Sequence, residues 1–374
     1  MVSIRTIEAN LRVETPLFCE GARGTEPTLR APSLKGALCF WWRALRSFDS
    51  HEAMRAQEQA LFGGSSPRTG QSKLLLSVAD AGSGRPGDQS AFGDLPGTRY
   101  MLGQGLGERD HVRAGGLYDL QLTLRVQASA AQEAEVIQAL KALCLLGAVG
   151  SRSRRGLGSL SLVSLAVPGQ EPWHPPATLE ELAQEIRALL PDDARDALPE
   201  YSAFSKETRI VLLSSKGDAA SLLEQLGLLF QSFRSHEREE PTGPSIGRED
   251  HDLMYRFAGG GEVERPPRRA VFGLPHNYYL RKAETKNIQV QPAQENRRAS
   301  PLLFHVQGLG PAGSCAVLTF LPARFLKEGE GILLKGGRLK RTVAVPENEE
   351  LYRPVTQFLE FARAKFPNNI EVRP

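Results

Sequence analysis

The sequence predicts an α+β protein made of two tandem blocks, each with a ferredoxin-like order of strands and helices and with long loop insertions. Three observations carry this prediction. Residues 1–165 show the full element order, residues 206–374 repeat a similar order around a charged insertion, and residues 166–205 form an acidic, proline-rich connector between them. The length of 374 residues also favours two domains.

Apolar periodicity in the first block predicts strand, helix, strand, strand, helix, strand, which is the ferredoxin-like arrangement. The expected elements are a strand at 4–13, a helix with Ser33 as its N-cap, a short helix at 52–61, strands at 73–78 and 117–126, a helix at 131–146 and a strand at 159–163. Residues 81–115 are rich in Gly, Asp and Arg, and we expect a long loop there.

The second block begins with a strand at 209–213 and a helix at 219–233. Residues 234–298 are charged and are expected to be an irregular, mobile insertion. Strands at 301–306 and 315–321 and a closing helix at 351–366 complete the block. The connector at 166–205 holds one amphipathic helix near 179–190.

Charge is distributed unevenly although the whole chain is only +3. Residues 1–165 carry 19 basic and 15 acidic side chains, the connector carries 2 and 8, and residues 206–374 carry 25 and 20. Two mildly basic blocks therefore flank an acidic connector, and net charge alone does not identify a partner. Four widely spaced cysteines favour reduced thiols, and with no apparent signal peptide or membrane span we expect a cytoplasmic protein with no membrane partner.

The glycine- and arginine-rich segment at 147–159, which we call the glycine loop, is the first candidate site. Guanidinium groups of Arg152, Arg154 and Arg155, with exposed backbone N–H groups around Gly150 and Gly156, would suit phosphate oxygens. The loop lacks both common nucleotide-binding glycine motifs, and its helix precedes the glycines, which favours a nucleic-acid backbone over a mononucleotide. The alternative is a surface loop whose arginines are only solvated.

The helix after Ser33 carries the second candidate surface. Helical spacing places Lys35, Trp42 and Arg46 opposite the expected core face, with Arg43 beside them. These side chains are candidates for RNA contact, with Trp42 as a base-stacking platform. Burial of Trp42 against a neighbouring loop is the alternative.

Residues 262–298 carry eight basic and four acidic side chains among aromatic residues. Arg268, Arg269, Arg281 and Lys282 are therefore further candidates for contact with single-stranded RNA. A charged insertion that binds nothing is the alternative.

No catalytic, metal or cofactor site is expected. The seven histidines show neither i,i+4 spacing nor a cluster with cysteines, and no nucleophile elbow occurs.

Several motifs in order resemble the RAMP superfamily of CRISPR proteins, and within it the first subunits of type III-B Cmr effector complexes. They are Thr15-Pro16, Leu29 to Leu38 with the sequence LRAPSLKGAL, Trp41-Trp42-Arg43, Glu58 to Gly64, Ser72-Lys73, the glycine loop and, more loosely, Arg298 to Phe304. The resemblance covers residues 15–165 well and 298–321 loosely.

The resemblance implies two RRM-related ferredoxin-like domains. It also implies a non-catalytic subunit that assembles with other Cmr subunits and holds guide RNA and target RNA near the guide 3′ end. Two alternatives stay open: a RAMP endoribonuclease that processes guide precursors with a histidine base, and a scaffold that touches only protein. The mid-chain position of the glycine loop disfavours the nuclease.

Overall fold

The computed structural model describes residues 5–21, 26–64, 70–82, 84, 86–88, 92–235 and 245–374. Its strands are β1 (Arg5–Val13), β2 (Leu74–Asp80), β3 (Leu117–Leu124), β4 (Leu160–Ala166), β5 (Arg209–Ser215), β6 (His276–Tyr279), β7 (Asn287–Pro292), β8 (Leu302–Gly308), β9 (Ser314–Phe320), β10 (Ile332–Gly336), β11 (Leu339–Val343) and β12 (Asn369–Val372). Its α-helices are α1 (Ala31–Ala44), α2 (His51–Phe62), α3 (Pro96–Leu102), α4 (Ala130–Leu146), α5 (Leu179–Leu189), α6 (Ala219–Arg234), α7 (Gly247–Ala258) and α8 (Asn348–Lys365).

The first half forms an antiparallel sheet in the order β2-β3-β1-β4, with α1 and α4 packed together beside it. This is the predicted ferredoxin-like arrangement. Alternation along β3 buries Tyr118, Leu120, Leu122 and Leu124, as a half-buried strand requires. Helix α4 begins with a capping box made by the Ser129 and Gln132 side chains.

The predicted start of α1 is wrong. The N-cap is Arg30 and makes no side-chain capping bond, while Pro32 lies in the first turn, where its missing N–H costs nothing. Ser33 is inside the helix, and its hydroxyl contacts the Cys19 thiol. Residues 81–115 also differ from the expected loop, because they include α3.

The second half repeats the strand order. Its sheet is β12-β5-β9-β8, again antiparallel, with α6 and α8 as the two helices of the repeat. Asp218 caps α6 by accepting a hydrogen bond from the Ser221 amide at 2.8 Å. The α+β class with two tandem ferredoxin-like units is therefore confirmed.

A third sheet, in the order β11-β10-β7-β6, corrects the expectation of an irregular insertion. Strands β6 and β7 come from the segment before β8, and β10 and β11 come from the segment after β9. The two insertions pair with each other, Ile332 lying opposite Pro292. Of the predicted mobile stretch, residues 236–244 lie outside the described part of the chain.

The two halves share their hydrophobic cores. Phe18 and Leu157 of the first half are buried with α6 and α8 of the second. Helix α3 crosses α6 where Gly97 and Gly227 face each other, and Glu224 accepts hydrogen bonds from the amides of Gly97 and Thr98 at 2.8 and 2.7 Å. The predicted connector is also not a free linker, since its helix α5 buries Leu182 and Ile186. Residues 1–165 and 206–374 stay our proposed domains.

Buried histidines predict a loss of stability on acidification. Burial lowers the pKa of His111, His276 and His305, so the folded chain binds fewer protons than the unfolded chain does near pH 6. Their contribution to stability is complete above the unfolded pKa of about 6.5 and is lost progressively below it. We therefore expect the free energy of unfolding, measured with urea, to fall steadily from pH 7 to pH 5.

Two variants test the cause of that slope. The His305 ring contacts the Gly147 carbonyl and the Gln307 side-chain amide. His305→Gln should therefore reduce the pH dependence of the free energy of unfolding, whereas a substitution of the exposed His51 should not change it. Stability that stays constant or rises on acidification would contradict the assignment.

Candidate nucleic-acid interface

The glycine loop is closed by its own backbone. The Val149 amide donates to the Gly158 carbonyl at 2.9 Å, and Arg152 to Arg155 form a left-handed residue followed by a 3₁₀ turn. Gly158 is required, because a Cβ there would lie 2.0 Å from the Val149 carbonyl oxygen at a positive φ. The loop conformation is therefore fixed by local sequence.

Internal bonds use several of the N–H groups that we expected to face a ligand. The amides of Ser151 and Gly158 donate to the carbonyls of Phe18 and Pro16 at 2.9 and 3.0 Å. Gly150 lies close to Phe18, and the Gly156 carbonyl accepts from the Thr15 hydroxyl at 2.7 Å. These bonded groups are therefore not available to a ligand, while contacts at Gly150 and Gly156 stay a prediction together with the arginine side chains.

The three arginines of the loop are held at a seam between the two halves. Arg152 Nε donates to the Leu102 carbonyl at 2.9 Å, and Arg154 Nη1 donates to the Ser300 carbonyl at 2.6 Å. The guanidinium of Arg155 lies 4.8 Å from the centre of the Phe230 ring. The loop is thus neither free nor merely solvated, because its arginines contact α3, α6 and the segment before β8.

These arginines line an open cleft of about 770 Å³, which we call the arginine cleft. The first half contributes residues 151–155 of the glycine loop, residues 104–106 and Arg109, and the second half contributes residues 272–276, 297–298 and Ser300. Arg109, Arg297 and Arg298 add three more guanidinium groups to the lining, together with His276. Within the described part of the chain, no aspartate or glutamate belongs to that lining.

Burial and like charge act together on the cleft cations. Desolvation, with Arg298 nearby, lowers the pKa of Arg154 to about 10, and desolvation, with Arg234 nearby, lowers the pKa of Arg155 to about 9. Both groups still carry their charge at neutral pH. Among the described residues no carboxylate lies within 4 Å of Arg152, Arg154, Arg155 or Arg298. An anion is therefore the complement that these four arginines lack, whereas Arg109 is already paired with Glu20 at 2.7 Å.

Arg234 extends the positive charge beneath the cleft. Its side chain is buried, its guanidinium lies 4.7 Å from the Phe230 ring centre, and its Nη2 is 3.5 Å from His276 Nε2. Burial first, then Arg234, Arg269 and Arg155, holds the pKa of His276 well below its usual value. His276 is therefore neutral at pH 7.

The side chains that the sequence places on an exposed face of α1 are mostly buried or ion-paired. Trp42 is buried, its indole N–H donates to Glu135 at 2.8 Å, and its ring packs on Phe48 and Phe62. Trp42 as a base-stacking platform is therefore corrected, because Phe48 of the loop after α1 and Phe62 of α2 pack on the ring while Glu135 of α4 accepts its N–H. Arg43 pairs with Glu58 and Arg46 with Glu135, while Lys35 is half-buried.

The predicted cations of the insertion fall into two groups, both outside the cleft lining. Arg268 pairs with Glu249 at 3.3 Å, and Arg269 Nε donates to the Tyr278 hydroxyl at 3.2 Å beside the buried Asp250. Those two hold the inserted sheet against α7. Arg281 and Lys282 are exposed in the turn between β6 and β7.

Sequence reasoning did not select Arg109, Arg234, Arg297 or Arg298 as site residues. Arg297 and Arg298 form a basic pair just before β8, a signal that was visible in the sequence. For Arg234 the sequence gives no such signal, because this residue ends an amphipathic helix and the last turn of any helix favours a cation.

The described residues hold no group of three or more His, Cys, Asp or Glu that could bind a metal ion. No helix in the described part of the chain is long and apolar enough to cross a membrane.

Comparison with known proteins places this fold in a class. Residues 10–161 match the model of the RAMP superfamily. The chain is also 26% identical over 314 residues to the CRISPR system Cmr subunit Cmr1-1 of Pyrococcus furiosus, covering 81% of this chain and 83% of that protein.

Solved structures agree on the fold. The crystal structure of Cmr1 from Pyrococcus furiosus in its apo form matches with a TM-score of 0.59 and 19% identity over 98% of both chains. A chain of the type III-B Cmr-beta complex bound to cognate target RNA, determined by cryo-electron microscopy, matches with a TM-score of 0.52 and 11% identity, covering 96% of this chain and 100% of that one.

Over residues 10–161 the chain is similar to the RAMP superfamily. More particularly, it is similar along most of its length to the CRISPR system Cmr subunit Cmr1-1 of Pyrococcus furiosus.

Proposed function

We propose that the chain is a non-catalytic, RNA-binding subunit of a type III-B CRISPR effector complex, which holds guide RNA and target RNA near the guide 3′ end. One observation carries the RNA-binding part, namely the convergence of six arginines from both halves on a cleft whose lining holds no carboxylate. Similarity to Cmr subunits supports assembly with the other proteins of such a complex.

The chemistry of the cleft suits a nucleic-acid backbone better than a single small anion. Guanidinium forks bind phosphate oxygens in two parallel hydrogen bonds, and half-buried arginines do so at reduced solvent screening. The cations are spread over the width of the cleft, so several consecutive phosphates can be neutralised together. Such contacts position the strand and carry no direct sequence information.

One observation favours the rival activity, an endoribonuclease. His276 is neutral and lies among arginines, which is the combination that a general base with electrostatic support would need. Against it, His276 Nε2 is directed at the Arg234 guanidinium, and no second acid or base lines the cleft. We therefore assign His276 to the support of Arg234.

Incubating the purified chain with labelled, repeat-containing single-stranded RNA tests both functions at once. We expect retention of the RNA, weakened by salt, with the RNA intact in the presence or absence of Mg²⁺ or Mn²⁺. Failure to retain RNA would refute the binding proposal. Site-specific cutting that disappears in His276→Ala, while the His51→Ala control still cuts, would establish the nuclease instead.

A further inference from the structure

The third sheet presents one face to the core and one outward. Its inward side chains are buried, and they are Tyr278, Ile288, Val290, Ile332, Leu334 and Val343. Its outward side chains are exposed or half-exposed, and they are Asn277, Tyr279, Asn287, Gln289, Gln291, Leu333, Lys335, Lys340 and Thr342. We call this outward side the amide–lysine face, because four amides and two ammonium groups stand on it with no carboxylate among the nine.

Strand register arranges part of this face in a row. Lys340 lies opposite Lys335, Lys335 opposite Gln289, and Gln289 opposite Asn277. With neighbouring strands about 4.8 Å apart, the row crosses all four strands over roughly 14 Å. The row therefore runs at right angles to the strands, from one edge of the sheet to the other.

The lysine end of the row lacks a counter-charge. Like charges directly opposite each other destabilise a strand pair. Among the described residues neither Lys335 nor Lys340 lies within 4 Å of a carboxylate, whereas Arg341, whose side chain alternates to the other face, pairs with Glu262 at 3.5 Å. An anion placed between the two lysines would turn the repulsion into a shared contact.

The remaining groups are suited to bases. Tyr279 is 64% exposed on the edge strand, so its ring is open to stacking. Amide side chains of Asn277, Gln289 and Gln291 both donate and accept hydrogen bonds, as base edges require. A four-stranded sheet with exposed aromatic and polar side chains is a known type of platform for single-stranded RNA.

The amide–lysine face also adjoins the arginine cleft. Strand β6 begins at His276, which lines the cleft, and the next residue, Asn277, opens the row. The side chains of His276 and Asn277 point to opposite faces of the sheet, so a strand of RNA that leaves the cleft passes around the start of β6 and then meets Asn277 first and Lys340 last.

We propose that the amide–lysine face is a second contact for single-stranded RNA, continuous with the arginine cleft. A base stacks on Tyr279, amides of the row contact base edges, and Lys335 with Lys340 share a phosphate. The inference rests on the proposed RNA-binding function, because it assigns the path of the same RNA beyond the cleft.

Two RNA lengths separate the two contacts. We would measure binding by fluorescence anisotropy with oligonucleotides of about 6 and about 16 nucleotides, lengths within the range of groove-type single-strand sites. Lys335→Gln/Lys340→Gln should weaken binding of the long RNA about tenfold and make its log-affinity against log-salt slope shallower by about 0.7, because the two lysines share one phosphate contact. Tyr279→Ala should also weaken the long RNA, and all three changes should leave the short RNA unaffected.

A matched control and a second readout make the outcomes distinct. Arg55→Gln/Arg187→Gln removes two exposed helix cations outside both surfaces and should change neither affinity. If the lysine variant binds the long RNA as tightly as the wild type does, the inference is wrong. A variant that is defective only in assembly with other Cmr subunits would show that the face is a protein interface instead. A further outcome is that substitutions in the arginine cleft leave binding of the short RNA unchanged while the lysine variant no longer binds it. The proposal that the cleft binds RNA would then be wrong, and the amide–lysine face would be the RNA contact.

Discussion

Replacing Arg152, Arg154 and Arg155 with alanine should weaken the binding of single-stranded RNA by about 10²–10³-fold. Hydrogen bonds to charged groups contribute about 1.5–3 kcal/mol each, and two such contacts at the lower end already amount to about a hundredfold. Unrelated RNA sequences should be affected equally, because phosphate contacts do not read bases. The salt slope should become shallower by about 2, since each lost phosphate contact removes about 0.7.

The effect on folding should be small for a specific reason. The side chains of the glycine loop do carry some packing, since Arg154 bonds Ser300 and Arg155 packs on Phe230. Loss of these contacts is opposed by relief of the repulsion that Arg155 experiences from Arg234. We expect a net change of about 1 kcal/mol in the free energy of unfolding.

Arg55→Ala/Arg187→Ala is the control for general charge, and circular dichroism is the control for folding. A folded triple variant with wild-type affinity and wild-type salt slope would place the RNA elsewhere on the molecule. Loss confined to one RNA sequence would show base recognition instead of backbone contact.

Gly227→Ala should destabilise the chain by about 3 kcal/mol. A Cβ on Gly227 would lie 2.1 Å from the Gly97 carbonyl oxygen, and the Cα of Gly97 would be only 2.8 Å away. These are backbone atoms of α3 that Glu224 holds in place, so the contact is not relieved by rotating a side chain. Overpacking of this kind costs typically 1–3 kcal/mol, and an immobile neighbour places it at the upper end.

Gly36→Ala is the matched control, because Gly36 also lies within a helix but has open space around it. Alanine there should stabilise by about 0.5–1 kcal/mol through its better helix propensity. Urea unfolding followed by circular dichroism measures both changes. Equal effects of the two substitutions would show that the close contact between α3 and α6 does not constrain the protein.

Local patterns predicted most elements of the two ferredoxin-like units. Alternation in 117–126 and helical periodicity in 131–146 depend on neighbours within the same element, so a single sequence reveals them. The third sheet depends on pairing between Pro292 and Ile332, which are separated by strands β8 and β9. Alternating polar and apolar residues from Asn287 to Pro292 are a local sign of β7. The charged composition of the whole segment instead predicts an irregular insertion.

The candidate site was predicted in part for the same reason. The glycine loop stood out because its glycines and arginines are contiguous, whereas Arg234 becomes relevant only once α6 is placed under the loop. The prediction of an exposed Trp42 is wrong because a helical wheel assigns one exposed face to α1, whereas both α2 and α4 cover this helix. Burial from two directions cannot be inferred from the helix alone.

Because each half buries side chains of the other, the two walls of the arginine cleft are joined through shared hydrophobic cores. Phe204 and Leu303 lie in the core of the first half, while Phe18 and Leu157 lie in that of the second. Closure about a hinge would separate packed side chains in both cores, so the arginine cleft keeps a constant width. Under the proposed function, an RNA strand would have to adapt its own backbone to that width, and the protein would lose little conformational entropy on binding.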